Sequence, residues 1–249
     1  MMTKWLKESK HTVVFTGAGM STESGVPDFR SAQGLWQGKD PQQLASTEAM
    51  RHNPQQFVEF YRMRIKGLQA VTPHKGYECL SMWAKHLQLK SIITQNTDGL
   101  HEQAGNPNVI PLHGTIRQLH CQDCGLTYST DRYLGSDAYR ADRHFASDVY
   151  CACGGFIRPS VVLFGEPLDP RPFELAAKQA LQADLFIVLG SSLVVSPANS
   201  FPAAAKEHGA TLVIINRDPT PLDHLADEVI QDRNLGDVLQ SITDELALA

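Results

Sequence analysis

Two short apolar runs, Leu185–Leu189 and Thr211–Ile215, flank an Ala-rich segment from Pro197 to His208, and this spacing constrains the fold more than any other feature of the chain. A strand, a helix of about a dozen residues and a second strand make a βαβ unit, the repeating element of a parallel, doubly wound sheet. Three further runs have strand character: His11–Thr16, Leu89–Thr94 and Val109–Leu112. They are short, apolar and rich in β-branched residues, as buried strands are. Helices fill the intervals. Apolar residues recur at Phe57, Phe60, Tyr61, Ile65 and Leu68 between Pro54 and Ala70, a second helix covers roughly 74–87 after Pro73, and 234–247 reads as a closing amphipathic helix. The expected class is α/β.

Residues 115–158 break this rhythm, being polar and lacking long apolar runs. Four of the five cysteines lie here, as Cys121-Gln-Asp-Cys124 and Cys151-Ala-Cys153. No stretch approaches the ~18 consecutive apolar residues of a membrane span, and Val13-Val14-Phe15 is too short for a signal-peptide core. Those readings place the chain in the cytoplasm, where thiols stay reduced, so the two close pairs are read as ligands of one structural Zn²⁺ rather than disulfides. Cys79 stands apart, as a small apolar residue within a helix. The net charge of −5 gives no bulk electrostatic grip on nucleic acid or an anionic membrane. A zinc-ribbon adaptor for nucleic acid would need a basic 115–158 segment, whereas Asp123, Asp131, Asp137, Asp142 and Asp148 run through it.

Gly17-Ala18-Gly19 follows the first strand, as in a dinucleotide-binding turn, but Thr22 stands where the third glycine of GxGxxG belongs. Two glycines let backbone N–H groups approach a pyrophosphate, and Ser21 and Thr22 add hydroxyl donors. An ordinary tight turn into the next element is the other reading of this segment.

The longer string resembles a known family. Gly17 to Arg30 is similar to the sirtuin GAGxSxxSGIPDFR signature, and Thr94 to His101 to TQNIDGLH, with Thr97 in place of isoleucine. His113-Gly114 resembles the HG motif, Val161–Glu166 VVxFGE, and Gly190–Pro197 GTSLxVxP, while Ile215-Asn216 and Pro219–Pro221 resemble the late ribose loop. The motifs span residues 13 to about 221 in the family's order. The resemblance implies one catalytic domain over 1–249: a Rossmann-type large part (1–31, 73–114, 159–249), a helical insert (32–72) and a zinc-binding module (115–158). It implies NAD-dependent protein-lysine deacylation that yields nicotinamide, O-acyl-ADP-ribose and free lysine.

Carried onto this sequence, the resemblance puts Gly17, Ala18, Gly19, Thr22, Phe29 and Arg30 in the cofactor loop. It puts Gln95, Asn96, Thr97 and Asp98 around the nicotinamide and its ribose, and Gly190, Ser191, Ser192 and Asn216 on the adenosine half. Phe164, Gly165 and Val195 receive the acyl-lysine peptide as an added strand. Asp98 is expected to bind the carboxamide and Asn96 to orient the ribose or a water. His113 is the expected base, because neutral imidazole is available near pH 7. His101 is expected to be structural.

Tyr61 and Arg64 stand three apart on one helix face. The pair resembles that of the desuccinylase and demalonylase branch, where it binds an acidic acyl tail, whereas Phe29–Trp36 looks more like the deacetylase branches. Packed tyrosine and solvated arginine are the alternative. Mono-ADP-ribosyl transfer, or a non-catalytic NAD or ADP-ribose sensor, are the competing functions. The expected partners are acyl-lysine proteins or peptides, with no membrane, no nucleic acid and a monomeric enzyme.

Overall fold

The computed structural model describes residues 1–29, 31, 34–36, 40–134 and 149–248. In chain order the strands are β1 (Thr12–Thr16), β2 (Leu89–Thr94), β3 (Val109–Pro111), β4 (Gly114–Cys121), β5 (Thr127–Tyr128), β6 (Ile157–Val161), β7 (Leu185–Leu189), β8 (Thr211–Ile215) and β9 (Glu228–Ile230). The helices are α1 (Met2–Glu8), α2 (Pro41–Leu44), α3 (Thr47–His52), α4 (Pro54–Gly67), α5 (Lys75–His86), α6 (Leu100–Gln103), α7 (Asp131–Leu134), α8 (Pro170–Gln182), α9 (Ser200–Glu207) and α10 (Leu235–Glu245). A 3-10 helix, Ala18–Ser24, follows β1 directly.

Six strands form a parallel sheet in the order β3-β2-β1-β7-β8-β9. Every residue of β1 and β7 is buried, because the central strands are covered on both sides. Val14, Ile92, Ile187 and Val213 face α1, α5 and α10. Their chain neighbours Val13, Ile93, Phe186 and Leu212 face α8 and α9. That alternation explains the continuous apolar runs.

A second, antiparallel sheet, β5-β4-β6, carries the cysteines. It spans Gly114 to Val161, one to three residues beyond each expected boundary of the zinc module. Phe57, Tyr61 and Ile65 of α4 pack with Ile116, Leu119, Tyr133 and Ile157 in one core. The helical insert and the cysteine module are thus a single packed lobe beside the sheet.

Two departures from the sequence reading concern element limits. Of the VVxFGE-like segment Val161–Glu166, read as the substrate strand, only Val161 lies in a strand, as the end of β6; beyond it Phe164 only bridges Ser46. The helix expected from Pro197 starts at Ser200, after a cis Ser196–Pro197 peptide. No helix among the described residues is long and apolar enough to cross a membrane.

Strand order reverses between β1 and β7: the chain moves outward one way through β2 and β3, and the other way through β8 and β9. In such a sheet a crevice opens at the carboxyl ends of the two strands. Gly17 and Gly190 stand at that place.

Candidate functional site

A cavity of about 550 Å³ lies over the crevice, between the sheet and the small lobe, a size that suits a cofactor-scale ligand. Its walls include the β1 loop (Gly17, Ala18, Gly19, Thr22), the β7 loop (Gly190, Ser191, Ser192, Val195), the segment after β2 (Gln95, Asn96, Thr97), His113 after β3, and the small lobe (Tyr61, Arg64, Phe164, Gly165). Phe29 and Asn216 also line it. Arg30 falls outside the described residues.

The glycines do something other than expected. Gly17 donates its N–H to Leu189 O at 3.1 Å, and Gly19 donates to Gly190 O at 2.8 Å. Gly190 has φ +60°, and a Cβ there would lie 2.4 Å from Met20 N. The glycines let the β1 and β7 loops pass backbone against backbone, and the Gly17 and Gly19 amides are spent on that junction rather than offered to a pyrophosphate. Ser21 is likewise not a cofactor donor: it is buried and its hydroxyl donates to Asp98. Thr22 donates to Gly19 O at 2.9 Å. Gln95 Nε2 donates to Ser191 Oγ at 2.9 Å and joins the segment after β2 to the β7 loop.

Asn96 is buried in the cavity wall. Its Nδ2 donates to Gly17 O at 2.9 Å and to Ser21 Oγ at 3.1 Å, so both amide protons are used. The carboxamide oxygen is what remains for a bound molecule. Asp98 does not line the cavity. It stands behind the wall, with Oδ2 accepting from Ser21 at 2.6 Å and Oδ1 capping α6 through the Leu100 N–H at 3.0 Å.

His113 follows β3 and precedes Gly114, which has φ +72° and no room for a side chain, since a Cβ would sit 2.1 Å from Ser160 O. His113 Nδ1 lies 3.0 Å from Gln95 O. A carbonyl only accepts, so Nδ1 carries the proton and Nε2 keeps a free lone pair. Burial lowers the pKa below the usual 6.5, partly opposed by the bond to Gln95. The imidazole is therefore neutral at pH 7 and in the tautomer a base at Nε2 requires.

Val162 donates to His113 O at 3.0 Å, so the segment after β6 is tied to His113. Glu166 holds that segment closed: one carboxylate oxygen takes the Leu163 N–H at 2.9 Å and the other meets Arg158 at 2.8 Å. Phe164 bonds Ala45 and Thr47 through its backbone yet leaves its ring 44% exposed beside the cavity.

Tyr61 and Arg64 both face the cavity, so the packed-and-solvated alternative does not hold for Arg64. Its guanidinium rests on the rings of Phe29, Phe60 and Tyr61 at 5.6, 5.8 and 5.9 Å. It makes no hydrogen bond or ion pair with any described residue. Burial lowers its pKa and raises that of Tyr61 to about 12, yet arginine stays a cation. Trp36 extends the aromatic wall, stacked on Phe29 at 5.5 Å and on Phe60 at 5.7 Å.

The four cysteine ligand atoms lie within 4.8 Å of one another, with Cys121 and Cys153 3.5 Å apart and Cys124 and Cys151 3.6 Å apart. A tetrahedral Zn²⁺ with bonds of about 2.3 Å spaces its sulfurs by about 3.8 Å, whereas a disulfide needs about 2.05 Å. The set fits zinc. The Cys153 backbone N–H, and then the Tyr128 hydroxyl, hold the Cys151 thiol down to about 6. Cys79 is buried in α5 as expected.

The features the sequence did not reveal are the stacking of Trp36, Ser21 as a hub, and Glu166 as the brace of the segment after β6. All three stood within quoted segments, Ser21 in Gly17–Arg30, Trp36 at the end of Phe29–Trp36 and Glu166 at the end of Val161–Glu166, but nothing there announced these contacts.

Residues 17–197 match the family model described as the Sir2 family. The NAD-dependent protein deacetylase of Halalkalibacterium halodurans is 60% identical over 240 residues, covering 96% of this chain and 97% of that protein. That of Shouchella clausii is 56% identical over 239 residues, 96% of each. Among solved structures, a Sir2 homolog–NAD complex superposes with a TM-score of 0.88 at 35% identity, covering all of this chain and 94% of that one. Sir2Tm bound to a propionylated peptide gives 0.86 at 32%, covering all of this chain and 98% of that one.

Proposed function

The chain belongs to the Sir2 family, and on that premise we propose that it is an NAD-dependent protein-lysine deacetylase with His113 as its base. The observation that carries the assignment is the fixed tautomer of His113, neutral and with Nε2 free at the cavity. When bound, NAD would supply the ADP-ribosyl group that takes the acyl group from lysine: nicotinamide is the leaving group, one water is consumed, and O-acyl-ADP-ribose and free lysine result.

Each remaining role follows from what the side chain has left to offer. Asn96 acts as an acceptor, through its carboxamide oxygen, and orients a ribose hydroxyl or a water. Asp98, just behind the wall beside Asn96, recognises the nicotinamide carboxamide where the bound ligand reaches past that wall, through the carboxylate lone pairs that Ser21 and Leu100 leave free. The β7 loop with Ser191 and Ser192, and Asn216 after β8, hold the adenosine half. Gly17 and Gly19 shape that pocket without donating to it. Phe164, Gly165 and Val195 receive the peptide backbone, and His113 takes a proton from a ribose hydroxyl. The weak nucleophile is the amide oxygen of the acyl-lysine, so positioning counts for more than activation. The cysteine set holds a structural Zn²⁺ that fixes the small lobe. We assign the enzyme to the cytoplasm, as a monomer that does not bind nucleic acid.

The test is nicotinamide release in the presence of NAD and an acetyl-lysine peptide. Release that needs both, with one deacetylated peptide per nicotinamide, supports the assignment. A peptide that gains the mass of ADP-ribose indicates ADP-ribosyl transfer instead, and NAD that binds without turnover indicates a sensor.

A second reading concerns the acyl group. Arg64 is a cation placed in a cavity wall with no ion pair among the described residues; the Asp98 carboxylate acts on it only from behind the wall, and a buried cation is costly without a paired partner. A carboxylate at the end of an acyl chain supplies one, through the paired hydrogen bonds that guanidinium favours, and the Tyr61 hydroxyl stands beside it. The enzyme therefore accepts succinyl-lysine as well as acetyl-lysine.

A further inference from the structure

Behind the wall formed by Asn96 lies a buried polar cluster in which Ser21 and Tyr77 have no role above. Ser21 is its hub. The hydroxyl has one proton and two lone pairs, and three groups reach it: Asp98 Oδ2 at 2.6 Å, Tyr77 OH at 2.9 Å and Asn96 Nδ2 at 3.1 Å. The carboxylate only accepts, so Ser21 donates to it. The amide nitrogen only donates, so it fills one lone pair. One lone pair is left for Tyr77, and the phenol must be its donor. Every bonding position on Ser21 is then committed.

We propose that Tyr77 is a positioning residue for the NAD half-site: through Ser21 it fixes the Asn96 carboxamide and the Asp98 carboxylate in the orientation they use. The inference rests on the roles given to Asn96 and Asp98 above. Tyr77 is fully buried on α5 and does not line the cavity; its hydroxyl bonds Ser21, with the Asn96 amide close by, so it acts on the cavity through these two residues and chiefly through Ser21. Burial, and then the charge of Asp98, raise its pKa well above 10, so the phenol keeps its proton.

The surroundings leave Tyr77 no other task. Its ring meets His74 and His101 edge to face, at 5.1 and 4.7 Å. His74 Nδ1 accepts the Gly76 N–H, so its Nε2 proton goes to Met20 O at 2.8 Å. Thr16 gives its own proton to Thr94 at 2.8 Å, so at 3.0 Å it accepts from His101 Nε2. His101 Nδ1 is then bare and without a partner, and burial holds the ring's pKa down to about 3. Neither of these two tautomers offers a proton to Ser21 or Asp98. The phenol is the one donor the cluster adds on this side, and without it a lone pair of Ser21 is open and the hydroxyl is free to turn away from Asp98.

The experiment compares Tyr77→Phe, Ser21→Ala and the double variant in the full-length enzyme. Phenylalanine keeps the ring and its packing and removes one oxygen. The expected result for Tyr77→Phe is a fall of about 10-fold or more in kcat/KM for NAD, with the KM for acetyl-lysine peptide within twofold of the parent. The double variant should be no worse than Ser21→Ala, because Tyr77 acts through Ser21. Unchanged kcat/KM in folded Tyr77→Phe, with only a lower melting temperature, overturns the proposal, and so do losses that multiply in the double variant. Asn96→Ala and Asp98→Ala are measured alongside. Full activity in both removes the assignment of those residues and the inference with it; loss in both and none in Tyr77→Phe removes the inference alone.

Discussion

Replacing Gly190 by alanine separates two reasons for a glycine. Gly190 has φ +60° and Gly209, after α9, has φ +96°. Alanine costs about 1–2 kcal/mol in such backbone, so both positions carry that term. Only Gly190 adds a contact: its Cβ would stand 2.4 Å from Met20 N and 2.5 Å from Gly19 C, whereas nothing lies within 4 Å at Gly209. Both neighbours are backbone, so the β1 and β7 loops must part. The Gly17–Leu189 and Gly19–Gly190 hydrogen bonds are strained or lost, at about 1 kcal/mol each, and overpacking adds about 1–3 kcal/mol. The expected totals are about 4–7 kcal/mol for Gly190→Ala and about 1–2 kcal/mol for Gly209→Ala. At roughly 2–4 °C per kcal/mol for a chain of this size, melting followed by circular dichroism should fall by roughly 8–28 °C in the first and roughly 2–8 °C in the second. Gly190→Ala should also raise the KM for NAD, while Gly209→Ala leaves it alone. Equal melting temperatures in the two variants would refute the claim that these glycines exist for the passage of one loop over another.

Arg64→Ala should reduce turnover of a succinyl-lysine peptide by about 10-fold or more and change acetyl-lysine turnover little; equal effects on both would remove Arg64 from acyl recognition. Zinc analysis should find one ion per chain, and Cys153→Ser or a strong chelator should lower both zinc content and stability; a variant that binds no zinc yet melts like the parent would contradict a structural site. His101 titrates near 3 in the folded chain and near 6.5 when unfolded, so the unfolded state takes up a proton first as pH falls. Stability should be unaffected by this group above pH 6.5 and decline below it, by about 2 kcal/mol between pH 6.5 and 5. His101→Gln should flatten that slope, and an unchanged slope would mean the ring is not buried neutral. For His113 the neutral form is the base and its pKa lies below 6.5, so the acid limb of kcat/KM should have its midpoint below pH 6.5; a midpoint at or above pH 7 would count against the base assignment.

The central sheet was legible because its strands are buried on both faces: Leu89–Thr94, Leu185–Leu189 and Thr211–Ile215 agree with the structure residue for residue. The edge strand Glu228–Ile230 was not, being three residues long and half exposed. Nor was β4, whose pairing with β6 shifts register between Thr115 and Leu119 and so blurs any period of two. Helix α8 was overlooked although Asp169 caps it and Pro170 opens it, a start signal that sequence does carry. In the site, motif residues converge on one cavity, but their reasons come from partners far along the chain. Gly19 needs Gly190, and Ser21 needs Tyr77 and Asp98. No local pattern announces such pairings. Tyr61 and Arg64 were visible as a helix-face pair, whereas the lack of an ion-pair partner for Arg64 among the described residues is a fact of packing.

The role of His113 is tested most directly by following two reactions of one variant. With NAD, acetyl-lysine peptide and labelled nicotinamide, the parent enzyme should both deacetylate the peptide and exchange label into NAD. A base that acts on a ribose hydroxyl after the nicotinamide bond has opened predicts that His113→Ala loses deacetylation by about 100-fold or more and still exchanges label. Equal loss of both reactions would place His113 at bond cleavage or in the fold, and full retention of deacetylation would remove it from the chemistry.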